Sequence, residues 1–278
     1  MSVELDLSQL IRVRRSTAPP TSIVRVGDLE IGAAFVVIAG PCAVEDAASL
    51  ETVASAVVAS GAHGLRGGAF KPRTSPYAFR GLGADGAQLL GDAGRRHHRP
   101  VVSEVMSAEQ LPALLPHIDV LQIGARNMQN FELLRAVAEV DRPVLLKRGF
   151  GNTVQEWLAA AEHLLVAGAK DVVLCERGIR TFETSYRFTL DIMAVPVVKS
   201  LSLLPIIVDV SHPAGRADLV PALSRAAVAV GADGIMVEVH PRPREALCDG
   251  PQSLDLAGIR ALVGELKTVA SSVDKGLA

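Results

Sequence analysis

Eight short runs of β-branched and other apolar residues, separated by longer Ala- and Leu-rich amphipathic stretches, constrain this chain more than any other feature. The runs are 35–40 (FVVIAG), 63–68 (HGLRGG), 101–105 (VVSEV), 120–124 (VLQIG), 144–148 (VLLKR), 171–176 (DVVLCE), 206–211 (IIVDVS) and 234–239 (GIMVEV). They are continuous rather than strictly alternating, which suits parallel strands covered on both faces. Segments 46–60, 87–97, 107–117, 130–140, 153–168 and 218–231 read as helices. Several open on Ser, Thr, Asp or Asn and close at Gly, as caps do. Eight strand–helix units in about 250 residues is the arithmetic of a (β/α)8 barrel. A doubly wound open sheet is the rival, because periodicity does not show that a sheet closes. Ahead of the first run, 22–32 (SIVRVGDLEIG) reads as two short strands about a Gly-Asp turn. The expected fold class is therefore α/β: a single (β/α)8 TIM barrel whose bottom is capped by a short N-terminal β-hairpin. The expected division is an extension at 1–20, the barrel with its hairpin at 21–270, and a tail at 271–278.

Composition narrows the function classes. At 278 residues and 49% hydrophobic, the chain builds a core without disulfide staples. A net charge of −2 offers no general surface for nucleic acid or acidic membranes. Three cysteines, Cys42, Cys175 and Cys248, are too few and too odd in number for a secreted disulfide framework. The N-terminus carries acids early and has no apolar signal region, and no run approaches the ~20 residues of a membrane span. A soluble, cytoplasmic protein is expected.

In a barrel enzyme the site lies where strands end and the following loops begin. Each run delivers a polar or charged residue there: Cys42, Arg66, Glu104, Arg126, Lys147, Arg177, His212 and Glu238 in chain order. Any one alone reads as a bland strand end; eight in succession on apolar strands do not. Two chemistries separate. Cys42, His212, Glu238 and Asp249 combine thiolate, imidazole and carboxylate, a set suited to a borderline divalent ion. His240 competes for the ligand role, since it shares a strand face with Glu238. Arg66, Lys71, Arg73, Arg126, Lys147, Arg177 and Arg180 form a cationic group. A nearly neutral protein that aims so many cations at one barrel face holds anions there, and their number suits two phosphates or a phosphate and a carboxylate.

Other signals carry less. GLGADG at 81–86 matches GxGxxG but follows a loop rather than a strand. Asp209, Ser211 and His212 are triad residue types crowded on one strand end without a nucleophile elbow. His97, His98 and His117 read as surface residues, and Trp157 as packing.

The motifs 39–45 (AGPCAVE), 65–83 (LRGGAFKPRTSPYAFRGLG), 122–134 (QIGARNMQNFELL), 145–157 (LLKRGFGNTVQEW), 174–183 (LCERGIRTFE), 209–216 (DVSHPAGR), 236–243 (MVEVHPRP) and 249–255 (DGPQSLD) resemble, in order, the type Iβ 3-deoxy-D-arabino-heptulosonate 7-phosphate (DAHP) synthases. The KPRTS string at 71–75 is the most diagnostic; the sister octulosonate 8-phosphate synthases carry an Asn-containing version of that loop. The resemblance implies a barrel enzyme that condenses phosphoenolpyruvate with erythrose 4-phosphate and releases phosphate, the entry step to the shikimate pathway. It implies Cys42, His212, Glu238 and Asp249 as ligands of a divalent metal, which favours His212 over His240. Mn2+ is the expected ion, and the donor set also admits Fe2+, Co2+ or Zn2+. It assigns Arg126, Lys147 and Arg177 to phosphoenolpyruvate, with Arg66 and Lys71 lining the same anion. Arg73, Thr74 and Ser75 fall on the loop that binds the aldose phosphate, with Arg180 as a further substrate cation. Lys71 and Glu104 are the expected acid–base residues, beside the metal ligands Cys42 and His212. Similar enzymes are homodimers or homotetramers. Only about 20 residues precede the hairpin, which argues against feedback control by tyrosine or phenylalanine through a fused domain and leaves a separate regulatory partner open. The readings that compete are the same chemistry on an amino-sugar or octulosonate-type aldose, and a non-catalytic barrel subunit. Cys248, beside Asp249, is expected to pair oxidatively with Cys42 if the two thiols approach closely.

Overall fold

A computed structural model describes residues 10–14, 22–273 and 276–278, so most of the expected extension lies outside the described residues. Among the described residues, ten strands and nine α-helices follow in order: β1 (Val24–Val26), β2 (Leu29–Ile31), β3 (Val36–Gly40), α1 (Ala47–Ser60), β4 (Gly64–Arg66), α2 (Ala84–His97) and β5 (Val101–Val105). Then come α3 (Leu111–Leu114), β6 (Val120–Ile123), α4 (Phe131–Ala138), β7 (Val144–Lys147), α5 (Val154–Val166) and β8 (Val172–Glu176). The last third holds α6 (Ala194–Leu201), β9 (Ile206–Asp209), α7 (Ser211–Ala214), α8 (Val220–Ala229), β10 (Gly234–Glu238) and α9 (Leu256–Ser272). Strands β3 to β10 pair in parallel, each with its neighbour in sequence, and β10 returns to β3 to close the barrel. Closure decides against the open sheet.

The eight runs match the eight barrel strands to within two residues at each end. Helix ends follow local chemistry. Asp46 caps α1 by accepting from Ser49 N–H, and Thr153 with Glu156 forms a full capping box on α5. Gly61, at φ +88°, ends α1 in the left-handed conformation that glycine adopts without strain. The segment at 107–117 is a 3-10 turn followed by the short α3, because Pro112 interrupts the run. Helices α6, α7 and α9 lie outside the segments read as helical. No helix among the described residues is long and apolar enough to cross a membrane.

Two cores follow from the two faces of the strands. Residues on the outer face pack against the helices, with the fully buried Trp157 donating its indole N–H to Leu146 C=O at 3.2 Å. The inner face is apolar only at the bottom: Val36, Ile38, Val102, Val120, Leu145, Val173, Cys175, Ile207 and Met236 fill it. Val24, Val26, Leu29 and Ile31 of the β1–β2 hairpin join this cluster and cap it. Each such side chain contributes about 1.5–3 kcal/mol through burial. Side chains on a strand face recur every two residues, so the next inward positions above this plug are Arg66, Glu104, Gln122, Lys147, Arg177, Asp209 and Glu238. Those seven are buried polar or charged residues. The barrel is oil below and charge above, and the charged end is the C-terminal one.

Candidate active site

At that end a cavity of about 310 Å3 opens among the loops. Seven cations expected from sequence line it: Arg66, Lys71, Arg73, Arg126, Lys147, Arg177 and Arg180, with Thr74 and Ser75 of the same loop. Glu104, His212, Asp249 and Cys248 share its wall. Cys42 and Glu238 lie just beneath, almost wholly buried.

The four expected ligand residues converge. His212, Glu238 and Asp249 each offer an atom within 4.8 Å of the others, and Cys42, Cys248 and Asp249 form a second such triad. His212 Nε2 is 3.6 Å from Glu238 Oε1 and 3.7 Å from Asp249 Oδ2, while Cys42 Sγ is 3.5 Å from Asp249 Oδ2. Sulfur, nitrogen and carboxylate oxygen within one small volume is the donor chemistry of a borderline divalent ion. His240 is not part of this group. It points at Glu45, 3.3 Å away, and accepts the Arg242 N–H at Nδ1.

Supporting groups fix these donors. Glu238 accepts from Arg66 Nη1 at 3.0 Å and from Gln252 Nε2 at 2.6 Å. Burial pushes the Glu238 carboxyl up, but His212 and Arg66 outweigh it and hold it low. Asp249 likewise resists burial: Arg187, 3.4 Å away, and His212 hold its carboxyl at about 2. Asp209 joins the donor cluster to the cationic wall. One carboxylate oxygen takes a short hydrogen bond from Lys147 Nζ and lies 2.7 Å from His212 Nδ1. Burial opposes its charge, yet His212 and Lys147 hold it well below the usual carboxylate range. A carboxylate on the far nitrogen of a ligating histidine fixes its tautomer and ring orientation. Burial keeps the His212 imidazole below its ordinary pKa despite Asp209, which favours the neutral form a metal needs.

The anion wall is built from cations that do not neutralise one another. Arg177 lies over Phe150 and Phe188 at 4.9 and 4.3 Å, and Arg126 and Arg180 approach Phe150 at 5.4 and 5.3 Å. The two rings stack at 5.2 Å, so an aromatic pair holds three arginines apart through cation–π contact. Arg177 Nη1 and Arg66 Nε are buried without a hydrogen-bond partner. An unsatisfied buried donor costs about 1–3 kcal/mol, and an anion in the cavity would offset it. Burial depresses the Lys71 ammonium, but the acidic groups of Cys42 and Glu104 outweigh that and leave its pKa raised. Glu104 sits against the backbone of Gly124, where any Cβ would strike its Oε1.

Sequence reasoning missed Arg187, Phe150, Phe188, Gln122 and Gln252, and it discounted Asp209. Gln122 and Asp209 were reachable by continuing the two-residue period past the apolar plug. Arg187 and Phe188 lie between β8 and α6, where no period exists to read. Arg148, next to Lys147, faces away and pairs with the buried Glu176 at 3.1 Å and with Asp191 at 2.7 Å.

Comparison with known proteins places the chain in a family. A family model described as the DAHP synthetase I family matches residues 21–274. Phospho-2-dehydro-3-deoxyheptonate aldolase of Thermotoga maritima is 50% identical over 262 residues, spanning 94% of this chain and 78% of the relative. A 2-dehydro-3-deoxyphosphooctonate aldolase of Desulfosudis oleivorans is 31% identical, over 90% of this chain and 96% of its own. A truncated form of 3-deoxy-D-arabino-heptulosonate 7-phosphate synthase from Thermotoga maritima superposes with a TM-score of 0.89 at 45% identity, covering 96% of this chain and 98% of that one. With a closed barrel and a family match that runs across the whole site, the chain belongs to the DAHP synthetase I family.

Proposed function

We propose that the chain condenses phosphoenolpyruvate, erythrose 4-phosphate and water to DAHP and inorganic phosphate, as the first step of the shikimate pathway. The observation that carries this reading is one cavity lined by the seven expected cations together with His212 and Asp249, with the donors Cys42 and Glu238 buried just beneath. Arg126, Lys147 and Arg177, with Arg66 and Lys71, hold phosphoenolpyruvate through its phosphate and carboxylate. Arg73, Thr74, Ser75 and Arg180 hold the aldose phosphate. Cys42, His212, Glu238 and Asp249 hold the divalent ion, Mn2+ in the first instance, which supplies Lewis-acid polarisation of the aldehyde.

The C3 carbon of phosphoenolpyruvate bonds to the aldehyde carbon, whose oxygen takes the displaced electron pair. Lys71, cationic and buried, stabilises that oxygen and delivers a proton to it. Water adds at C2, and Glu104, hydrogen-bond distance from Gln122 at 3.5 Å, takes its proton. The C2–O bond to phosphate then breaks and the ketone forms. A homodimer or homotetramer belongs to the same reading, and sedimentation of the purified chain tests it.

An aldose panel tests the assignment. Erythrose 4-phosphate should release one phosphate per phosphoenolpyruvate consumed, with arabinose 5-phosphate at least about tenfold slower. Preference for arabinose 5-phosphate would move the reading to the octulosonate chemistry in the name of the 31% identical relative. Phosphate binding without turnover on any aldose would leave only a scaffold.

Three further outcomes follow. Glu104→Gln should lower kcat about 10²–10⁴-fold with little change in the KM for phosphoenolpyruvate; a near-normal kcat removes Glu104 from proton transfer. Asp209→Asn should weaken metal binding about 10–100-fold, because the carboxylate facing His212 Nδ1 is lost; unchanged affinity in a metal titration denies the relay. Treatment with Cu2+ should join Cys42 and Cys248, whose sulfurs are 3.1 Å apart, as two electrons pass to copper and two protons to solvent. Free thiols should fall from three to one, since Cys175 is deeply buried with its thiol pushed up to about 12 by that burial. Three free thiols with full activity after treatment would overturn it.

A further inference from the structure

The donor cluster is really two overlapping triads that share Asp249. One is His212, Glu238 and Asp249, a nitrogen-and-oxygen set that together with Cys42 suits Mn2+ or Fe2+. The other is Cys42, Cys248 and Asp249, a sulfur-rich set that suits Zn2+, Cd2+ or Co2+. We propose that Cys248 is itself a metal ligand in this chain, and that Cys42, Cys248 and Asp249 give the centre a thiophilic binding mode. This rests on the metal-site reading above and adds a fifth donor to it.

Backbone geometry explains how adjacent residues reach one spot. Asp249 is one of only two non-glycine residues with positive φ among the described residues, at +50°. At that left-handed turn the adjacent Cys248 and Asp249 present donor atoms within 4.8 Å of each other, and such strain collects at functional positions. The loop is also fixed from outside, since Leu247 N–H donates to Glu45 Oε1 at 2.8 Å. Cys248 is buried, with its sulfur 3.1 Å from that of Cys42. Two thiolates on one tetrahedral zinc, with bonds of about 2.3 Å, stand roughly 3.8 Å apart. The pair must open by about 0.7 Å, which small side-chain rotations supply.

The second mode reaches the substrate loop. Arg73 Nη1 makes a short contact with Cys248 Sγ. A thiophilic ion that draws in Cys248 takes this partner from Arg73, whereas an ion held by Cys42, His212, Glu238 and Asp249 alone leaves it in place. Binding through both sulfurs converts two thiols to thiolates and releases two protons to solvent.

The test uses the intact chain under anaerobic conditions, with Co2+, Zn2+ and Mn2+ as probes. Wild type should show a sulfur-to-cobalt charge-transfer band, and Cys248→Ser should lose about half of it. The same change should weaken Zn2+ at least about tenfold and leave Mn2+ affinity, read by electron paramagnetic resonance, within about twofold. Retained Mn2+ binding also shows that the variant is folded, and Cys248→Ala should repeat the result. A full cobalt band in both variants, with the band lost in Cys42→Ser, would overturn the role of Cys248 alone. No cobalt band in wild type despite bound Co2+ would overturn thiolate ligation by both cysteines, and no metal binding at all would overturn the metal-site reading beneath it.

Discussion

His212→Ala is expected to abolish measurable condensation, with kcat/KM down at least about 10³-fold. Lewis-acid polarisation is worth several kcal/mol of transition-state stabilisation, and each ~1.4 kcal/mol is a factor of ten. Among the described residues, His212 is the only nitrogen donor in the cluster, and its Nδ1 lies 2.7 Å from Asp209. Removing the ring leaves the buried Lys147–Asp209 pair intact, so the charge network beneath the site keeps its balance. The variant should therefore fold, lose Mn2+ affinity and lose turnover together. Titration with Mn2+ alongside phosphoenolpyruvate consumption checks this. Normal turnover without His212 would mean that the chemistry does not use this cluster.

Lys71→Met is the second large effect, again at least about 10³-fold on kcat. Methionine has nearly the length of lysine without its charge, so the variant asks only what the ammonium does. Lys71 is 7% exposed, packed where Cys42 and Glu104 raise its pKa. A cation so placed costs no reorganisation when negative charge develops on the aldehyde oxygen. The melting temperature should fall, because the acidic neighbours that hold the Lys71 pKa up despite burial lose their cation. Mn2+ binding should persist below that melting temperature while turnover disappears. An active Lys71→Met enzyme would remove the residue from the mechanism.

The barrel was legible because its strands are parallel and covered on both faces, so each appears as an unbroken apolar run bounded by turns. Closure was not legible: β10 pairs with β3 across nearly the whole chain, a contact without a local signature. The strand-end residues Arg66, Lys147 and Glu238 announced themselves as charges on apolar strands. Gln122 and Asp209 obey the same period but hid, one because it is neutral and one because it looked like part of a failed triad. Arg187 was invisible, since its place beside Asp249 comes from an irregular loop whose path only the fold reveals. The closeness of Cys42 and Cys248, 206 positions apart, likewise depended on the barrel bringing the first and last loops together.

The central claim is that the cation wall and the donor cluster serve one reaction. The loss of enol phosphate absorbance from phosphoenolpyruvate tests it most directly, with and without erythrose 4-phosphate, in Mn2+ and again in excess EDTA. Loss that requires both the aldose and the metal is the predicted result. Loss without the aldose, or equal loss in EDTA, would contradict it.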